Sequence, residues 1–220
     1  MTPDRHERLS PSTSNRWLCC PYSAQNDLPR FTNAAAEKGT ALHSLAAEVL
    51  AGRADLNEVK AGKDQDAIEM YADHVHSNGG EILVEHFWES MAIDEFGGTS
   101  DCTILKDNKV AVYDFKTGKW PVDAYENTQL LCYASIVLEH FDVSEFFGVI
   151  VQPNVTRGLK IKVAEYSLDQ VDEHRERVKV AAMSSYKQAG DHCLFCPLRR
   201  ANKCEEGAAH GQSKGWKYGG

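Results

Sequence analysis

Two stretches decide the reading of this chain of 220 residues, GGTSD at Gly97 to Asp101 and VYDFKTG at Val112 to Gly118. Between them lies Asp107-Asn108, a pair suited to a two-residue hairpin turn. With that turn Lys106 faces Lys109, and counting back places Asp101 opposite Asp114. Cross-strand neighbours hold their Cβ atoms roughly 4.5 to 5.5 Å apart, so two carboxylates there repel. A divalent cation would turn that repulsion into ligation. Lys116 stands two residues beyond Asp114, and strand alternation puts its ammonium on the same face as the carboxylate.

Two carboxylates and a lysine that converge suit phosphodiester hydrolysis. Mg²⁺ or Mn²⁺ prefers oxygen ligands, activates water and neutralises charge on a phosphate, while a lysine can orient that water and stabilise developing charge. An isolated D-x-K is more often a solvated surface hairpin. Here Asp114 and Lys116 end the apolar run Val110-Ala111-Val112-Tyr113, where charges are costly without a purpose.

Outward from the hairpin, Ile82 to Glu89, Thr99 to Lys106 and Val110 to Lys116 read as three strands of an antiparallel meander. Before them, Ser10-Pro11-Ser12 looks like a helix start leading into Thr13 to Cys19, which Pro21 stops. Glu37 to Leu50 has a helical apolar period with Gly52 at the C-cap, and Ala67 to Ser77 is a second helix ending at Asn78-Gly79-Gly80. After the meander, Tyr125 to His140 is helical, Phe146 to Gln152 is a strand, and Lys160 to Tyr166 alternates like an edge strand. Ser167, with Glu173 nearby, opens a long polar helix to about Ala189, which Gly190 ends. The expected fold is α/β, a mixed sheet flanked by helices, in one domain over residues 1–205 with a flexible tail at 206–220. Within it, 10–80 is mostly helical, 81–166 is the core, and 167–205 holds the long helix and a cysteine cluster.

Composition fits that expectation: 42% hydrophobic and 25% charged residues belong to a folded soluble protein. No apolar run approaches the roughly 20 residues that span a bilayer, and MTPDRHERLSPSTS lacks the apolar core of a signal peptide, so a cytosolic, non-membrane protein is expected. The net charge of -8 argues against coating nucleic acid by bulk charge. It leaves room for an acidic metal centre with a local basic rim. Lys116, Lys119, Trp120, Arg157, Lys160, Lys162, Arg199, Arg200 and Lys203 are candidates for such a rim, with Trp120 as a surface on which an unpaired base stacks.

The motifs resemble those of RecB-like nucleases of the PD-(D/E)XK superfamily: G-T-x-x-H at Gly39 to His43, then G-x-x-D, D-x-K, and Q-x-x-x-Y at Gln129 and Tyr133. The chain is most similar to small phage-borne members related to the CRISPR-adaptation exonucleases and the AddB and RecB nuclease domains. The resemblance runs from Ser12 to Cys204 and implies a restriction-endonuclease-like α-β-β-β-α-β core. It implies that His43, Asp101, Asp114 and the Phe115 carbonyl hold Mg²⁺ or Mn²⁺, that Lys116 is catalytic, and that Gln129 and Tyr133 reach the DNA backbone or the site. Glu85, on the first strand, occupies a position where relatives often carry an acid.

Seven cysteines, an odd number in a chain expected to be cytosolic, speak against a disulfide framework. Cys102 and Cys132 read as buried apolar thiols. Cys193-Leu194-Phe195-Cys196 is a C-x-x-C, with Cys204 eight positions on and Cys19-Cys20 near the start. In the superfamily one cysteine before the core and three after it resemble the ligands of a 4Fe-4S cluster, and a C-P-x-S likeness selects Cys20 over Cys19. Zinc could use the same four thiolates, although the distance from Cys20 to Cys193 is unlike a compact zinc ribbon. The implied activity is an exonuclease working from DNA ends in phage or bacterial recombination, replication or repair, with a single-strand annealing or recombination protein as an implied partner. A non-cutting DNA-binding module of the same fold and a zinc-binding interaction protein are the alternatives.

Overall fold

The computed structural model describes residues 7–28 and 32–216. A 3-10 turn at Pro11–Thr13 leads to α1 (Ser14–Trp17), a second such turn at Pro21–Ala24, α2 (Ala34–Leu50) and α3 (Lys63–Asn78). Strands β1 (Glu81–Glu89), β2 (Gly97–Lys106) and β3 (Lys109–Phe115) follow, then α4 (Thr128–His140), β4 (Glu145–Val151), β5 (Ile161–Tyr166) and α5 (Leu168–Met183). The last elements are a 3-10 turn at Asp191–Phe195, α6 (Pro197–Arg200) and α7 (Glu205–Ser213).

The strands form one mixed sheet in the order β1-β2-β3-β4-β5, antiparallel except between β3 and β4. Asp107 and Asn108 both have positive φ, 48° and 62°, the conformation that two-residue primed turns require. Lys106 pairs with Lys109 and Cys102 with Tyr113, the register expected from the turn. One further step along it brings Asp101 to Asp114.

Alternation along β3 divides the interior between the two faces of the sheet. Val110 and Val112 pack with Leu130, Ile136 and Val178 under α4 and α5. Tyr113 and Phe115 pack with Leu42, Ile68 and Tyr71 under α2 and α3. Gly148 in β4 leaves room for α4 and for Tyr166 of β5, since a Cβ there would lie 2.8 Å from both Leu130 Cδ1 and Tyr166 Cε2.

Caps place the helix starts. Asn33 accepts from the Ala36 amide at 2.9 Å and opens α2. Asn127 accepts from the Gln129 and Leu130 amides, so α4 begins three residues later than its apolar pattern suggests. Ser167 and Gln170, rather than Glu173, form the capping box of α5.

Two expectations need correction. The long helix ends at Met183, not near Ala189, and Gly190 is extended and precedes the Asp191–Phe195 turn rather than closing the helix. The segment leaves the helix to reach the start of the fold: the Ser184 carbonyl accepts from Gln25 Nε2 at 2.8 Å, and the Tyr186 carbonyl from the Tyr22 amide at 3.3 Å. The region expected to be a flexible tail contains α7, and Trp216 packs edge-on to His210 with Arg199 over its ring. Residues 217–220 of that expected tail lie outside the described residues.

Between α4 and α5, Cys132 Sγ lies 3.4 Å from His174 Nε2, with both residues buried. Burial, helped by Arg177, pushes the His174 imidazole down to about 4. An unfolded histidine titrates near 6.5, so between those values the unfolded chain binds a proton that the folded chain refuses. Stability is therefore fully present above pH 6.5 and is lost as pH falls towards 4. Urea titrations should show that this residue accounts for about 2 kcal/mol of lost stability between pH 7 and pH 5. His174→Leu should remove that share of the pH dependence, and an unchanged dependence would assign it to other groups.

Candidate metal centre

The centre lies where β2 and β3 leave their hairpin pairing and where α2 and α4 approach from opposite sides. α2 can come near because Gly39 has no side chain: a Cβ there would meet Thr117 Oγ1 at 3.2 Å. One turn on, His43 Nδ1 stands 2.9 Å from Asp101 Oδ1. The other oxygen of Asp101 accepts from the Phe115 amide at 2.6 Å, which fixes the carboxylate across the hairpin.

Ligand atoms of His43, Glu85 and Asp101 all lie within 4.8 Å of one another. Glu85 is exposed and takes φ +47 inside a strand, between the pairs Val84 with Cys102 and His86 with Ser100. A left-handed glutamate in a strand is strained, and such strain gathers at sites of function. A histidine nitrogen and two carboxylates are donors that a hard or borderline divalent cation accepts.

Asp114 stands beside this group, within a second set of contacts. It is 3% exposed, its Oδ2 meets Lys116 Nζ at 2.7 Å, and its Oδ1 accepts from Gln129 Nε2 at 3.3 Å. The same amide turns its oxygen to Lys116 Nζ at 3.0 Å, so Gln129 of α4 bridges both partners. Burial pushes the Asp114 carboxyl up, and the Lys116 ammonium pulls it back. Burial also works against the Lys116 ammonium, but the Asp114 carboxylate outweighs it and leaves Lys116 raised and charged. For His43, burial is outweighed in the same way by Asp101, and its pKa rises.

Tyr133 is buried and donates its hydroxyl to the Thr99 carbonyl, so it anchors α4 to β2 two residues before Asp101. Tyr71, which sequence reasoning missed, stacks on Phe115 at 4.7 Å. Its buried hydroxyl has no hydrogen-bond partner among the described residues. Burial and then the Asp101 charge push its pKa well up, so it remains a neutral donor close to the carboxylates. An orphaned donor beside clustered carboxylates fits a site that takes an oxygen-bearing ligand along with its cation.

The cysteines form a separate place. Cys20, Cys193, Cys196 and Cys204 line one cavity formed by the Pro21–Ala24 turn, the Asp191–Phe195 turn and the start of α7. The Gln188 amide donates to Cys20 Sγ at 3.5 Å and the Gly207 amide to Cys204 Sγ at 3.4 Å. Burial raises the Cys193 and Cys204 thiols. Arg199 does not join a basic rim: it is 2% exposed and donates to the Cys193 and Leu194 carbonyls at 2.7 and 2.8 Å. Cys102 and Cys132 are buried in the two cores, and Cys19 is exposed.

A family model described as "Protein of unknown function (DUF2800)" matches residues 6–214. The chain belongs to the DUF2800 family. Among solved structures, one described as "Crystal structure of SSO0001" is similar over 87% of this chain and 84% of the other, at 15% identity and a TM-score of 0.41. Within this DUF2800 chain, among the described residues, no helix is long and apolar enough to cross a membrane.

The two sets of contacts predict separable roles. In calorimetric titrations with Mn²⁺, Asp101→Asn should weaken binding tenfold or more, because it removes a donor and the Phe115 anchor together. Lys116→Ala should bind Mn²⁺ within about threefold of the parent, since its ammonium is a partner of Asp114 and no ligand. Equal losses in the two variants would show that the lysine organises the whole centre.

Proposed function

We propose that this DUF2800 protein is a metal-dependent deoxyribonuclease of the RecB-like PD-(D/E)XK kind, working from DNA ends. The observation that carries the reading is the meeting of His43, Glu85 and Asp101 within 4.8 Å, beside the buried Asp114–Lys116 pair at 2.7 Å. The order of motifs along the chain, which resembles that superfamily, supports the same reading.

His43, Asp101 and Glu85 are the donors that would hold Mg²⁺ or Mn²⁺, with Asp114 adjoining. Such a cation supplies Lewis-acid polarisation of a phosphoryl oxygen and acidifies a water. Lys116 keeps its proton through Asp114 and so presents fixed positive charge where a phosphate gains negative charge. Gln129 holds that lysine in place, and Phe115 holds Asp101. No element resembles a base-reading motif, and a carboxylate centre meets only phosphate, so selection of the substrate falls to DNA ends. Incubation with Mn²⁺ should degrade a linear plasmid and spare its covalently closed form, and Asp114→Asn or Lys116→Ala should abolish the loss. Comparable loss of both plasmid forms would make the protein an endonuclease, and no loss of either would leave a DNA-binding module.

The same reading assigns a 4Fe-4S cluster to Cys20, Cys193, Cys196 and Cys204. The four cysteines line one cavity, and the separation of Cys20 from Cys193 along the chain is unlike a compact zinc ribbon, which supports the cluster over zinc. Amide donors to Cys20 and Cys204 are of the kind that tune cluster sulfurs. Anaerobically purified protein should be brown with roughly four irons per chain, and Cys196→Ser should lose both the iron and several degrees of melting temperature. Colourless protein with stoichiometric zinc would sink the cluster while leaving the nuclease reading intact.

A further inference from the structure

We propose that Trp120 is a stacking platform for an unpaired base and that Gln152 is the residue that positions it. The inference rests on the nuclease reading and names its substrate as single-stranded DNA, or the strand frayed from a duplex end.

Trp120 is 86% exposed, whereas Trp17 and Trp88 are 0% and 3% exposed. An indole held in water on a loose loop would mean little. This loop is not loose. Gln152, itself 1% exposed, donates to the Gly118 carbonyl at 2.9 Å and the Trp120 carbonyl at 2.7 Å, and its oxygen accepts from the Val122 amide at 3.0 Å. The Lys119 carbonyl accepts from the Thr156 amide at 3.2 Å. Three successive carbonyls are therefore fixed from the β4 side, and Pro121 restricts the Trp120 backbone further. The clamp continues into the centre: the residue before Gln152, Val151, accepts from the Lys116 amide at 2.8 Å. The indole is thus projected outward four residues after Lys116 from a segment whose carbonyls are bonded to the β4 side.

Charge identifies the occupant. Residues 118–123 and 152–160 carry Lys119, Arg157 and Lys160 against one carboxylate, Asp123, within a chain of net charge -8. All three cations are exposed and in no ion pair among the described residues. Cations beside a projecting aromatic suit a polyanion with planar groups, and only an unpaired strand offers free base faces. A duplex keeps its bases stacked and would meet the lysines alone.

The test uses the full-length protein in EDTA, so that nothing is cut, with a short oligothymidylate and an abasic strand of equal length as probes. Oligothymidylate should quench tryptophan emission, and the abasic strand should not. Trp120→Ala should bind oligothymidylate roughly tenfold more weakly and the abasic strand within about twofold of the parent, with Trp120→Phe recovering most of the loss. Gln152→Met, which keeps the indole but frees its loop, should approach the Trp120→Ala affinity while leaving Mn²⁺ binding unchanged. Parental affinity of Trp120→Ala for oligothymidylate, or equal weakening towards both strands, would overturn the proposal. Cleavage of linear DNA by the parent without quenching would remove the platform alone, whereas neither binding nor cleavage would remove the nuclease reading with it.

Discussion

The carboxylate of Asp114 is buried at the end of an apolar strand, and much of the structure around it follows from that placement. A lone buried charge is costly enough that a protein either pairs it or protonates it. Here it is paired, by Lys116 on one oxygen and Gln129 on the other. The pairing sets conditions on two further elements. Lys116 must stay on the face of Asp114 as the strand ends, and the hydrogen bond from its amide to the Val151 carbonyl in the parallel neighbour arranges this. Gln129 must stand in the first turn of α4, and the Asn127 cap defines that turn.

The hairpin then brings a second carboxylate against the first. Asp107 and Asn108 fix the register, so Asp101 cannot slip without moving every β2 side chain to the other face. Its negative charge is met by His43 and by the Phe115 amide. Each carboxylate is thereby held by two partners from different elements, Lys116 and Gln129 for Asp114, His43 and the Phe115 amide for Asp101. The two helices that supply His43 and Gln129 cover opposite faces of the sheet, so the centre depends on both cores rather than on one.

This part of the fold was legible because it rests on local rules. A two-residue turn gives register, register gives opposition, and alternation puts Lys116 beside Asp114. The helical period and the glycine after Leu50 placed α2, and with it His43. What escaped reading depends on tertiary contact or on backbone states that residue types do not signal. Glu85 is marked in sequence only by the resemblance, and its left-handed φ and its approach to His43 and Asp101 are what the residue type could not tell. Tyr71 lies on an ordinary apolar helix face, and nothing in its neighbours tells that its hydroxyl ends unpartnered beside the carboxylates. Arg199 reads as a surface cation in sequence but is buried by the turn it binds. The end of α5 was missed because residues 184–186 bond to the distant segment at Tyr22 and Gln25, and no helix propensity records that demand.

Those same bonds bear on how the cysteine cavity and the carboxylate site share one scaffold. The N-terminal segment that carries Cys20 also carries α1, whose Ser14 hydroxyl donates to the Thr128 hydroxyl at the start of α4 at 2.8 Å. Trp17 of α1 is fully buried in the core beneath α4. From the other direction, α5 leaves α4 through the Cys132–His174 contact and runs on towards Cys193. Both routes from the cysteine cavity therefore end on α4, the helix whose first turn holds Gln129 against Lys116 and Asp114. Any restraint placed on the four cysteines would act on the two segments that flank this helix.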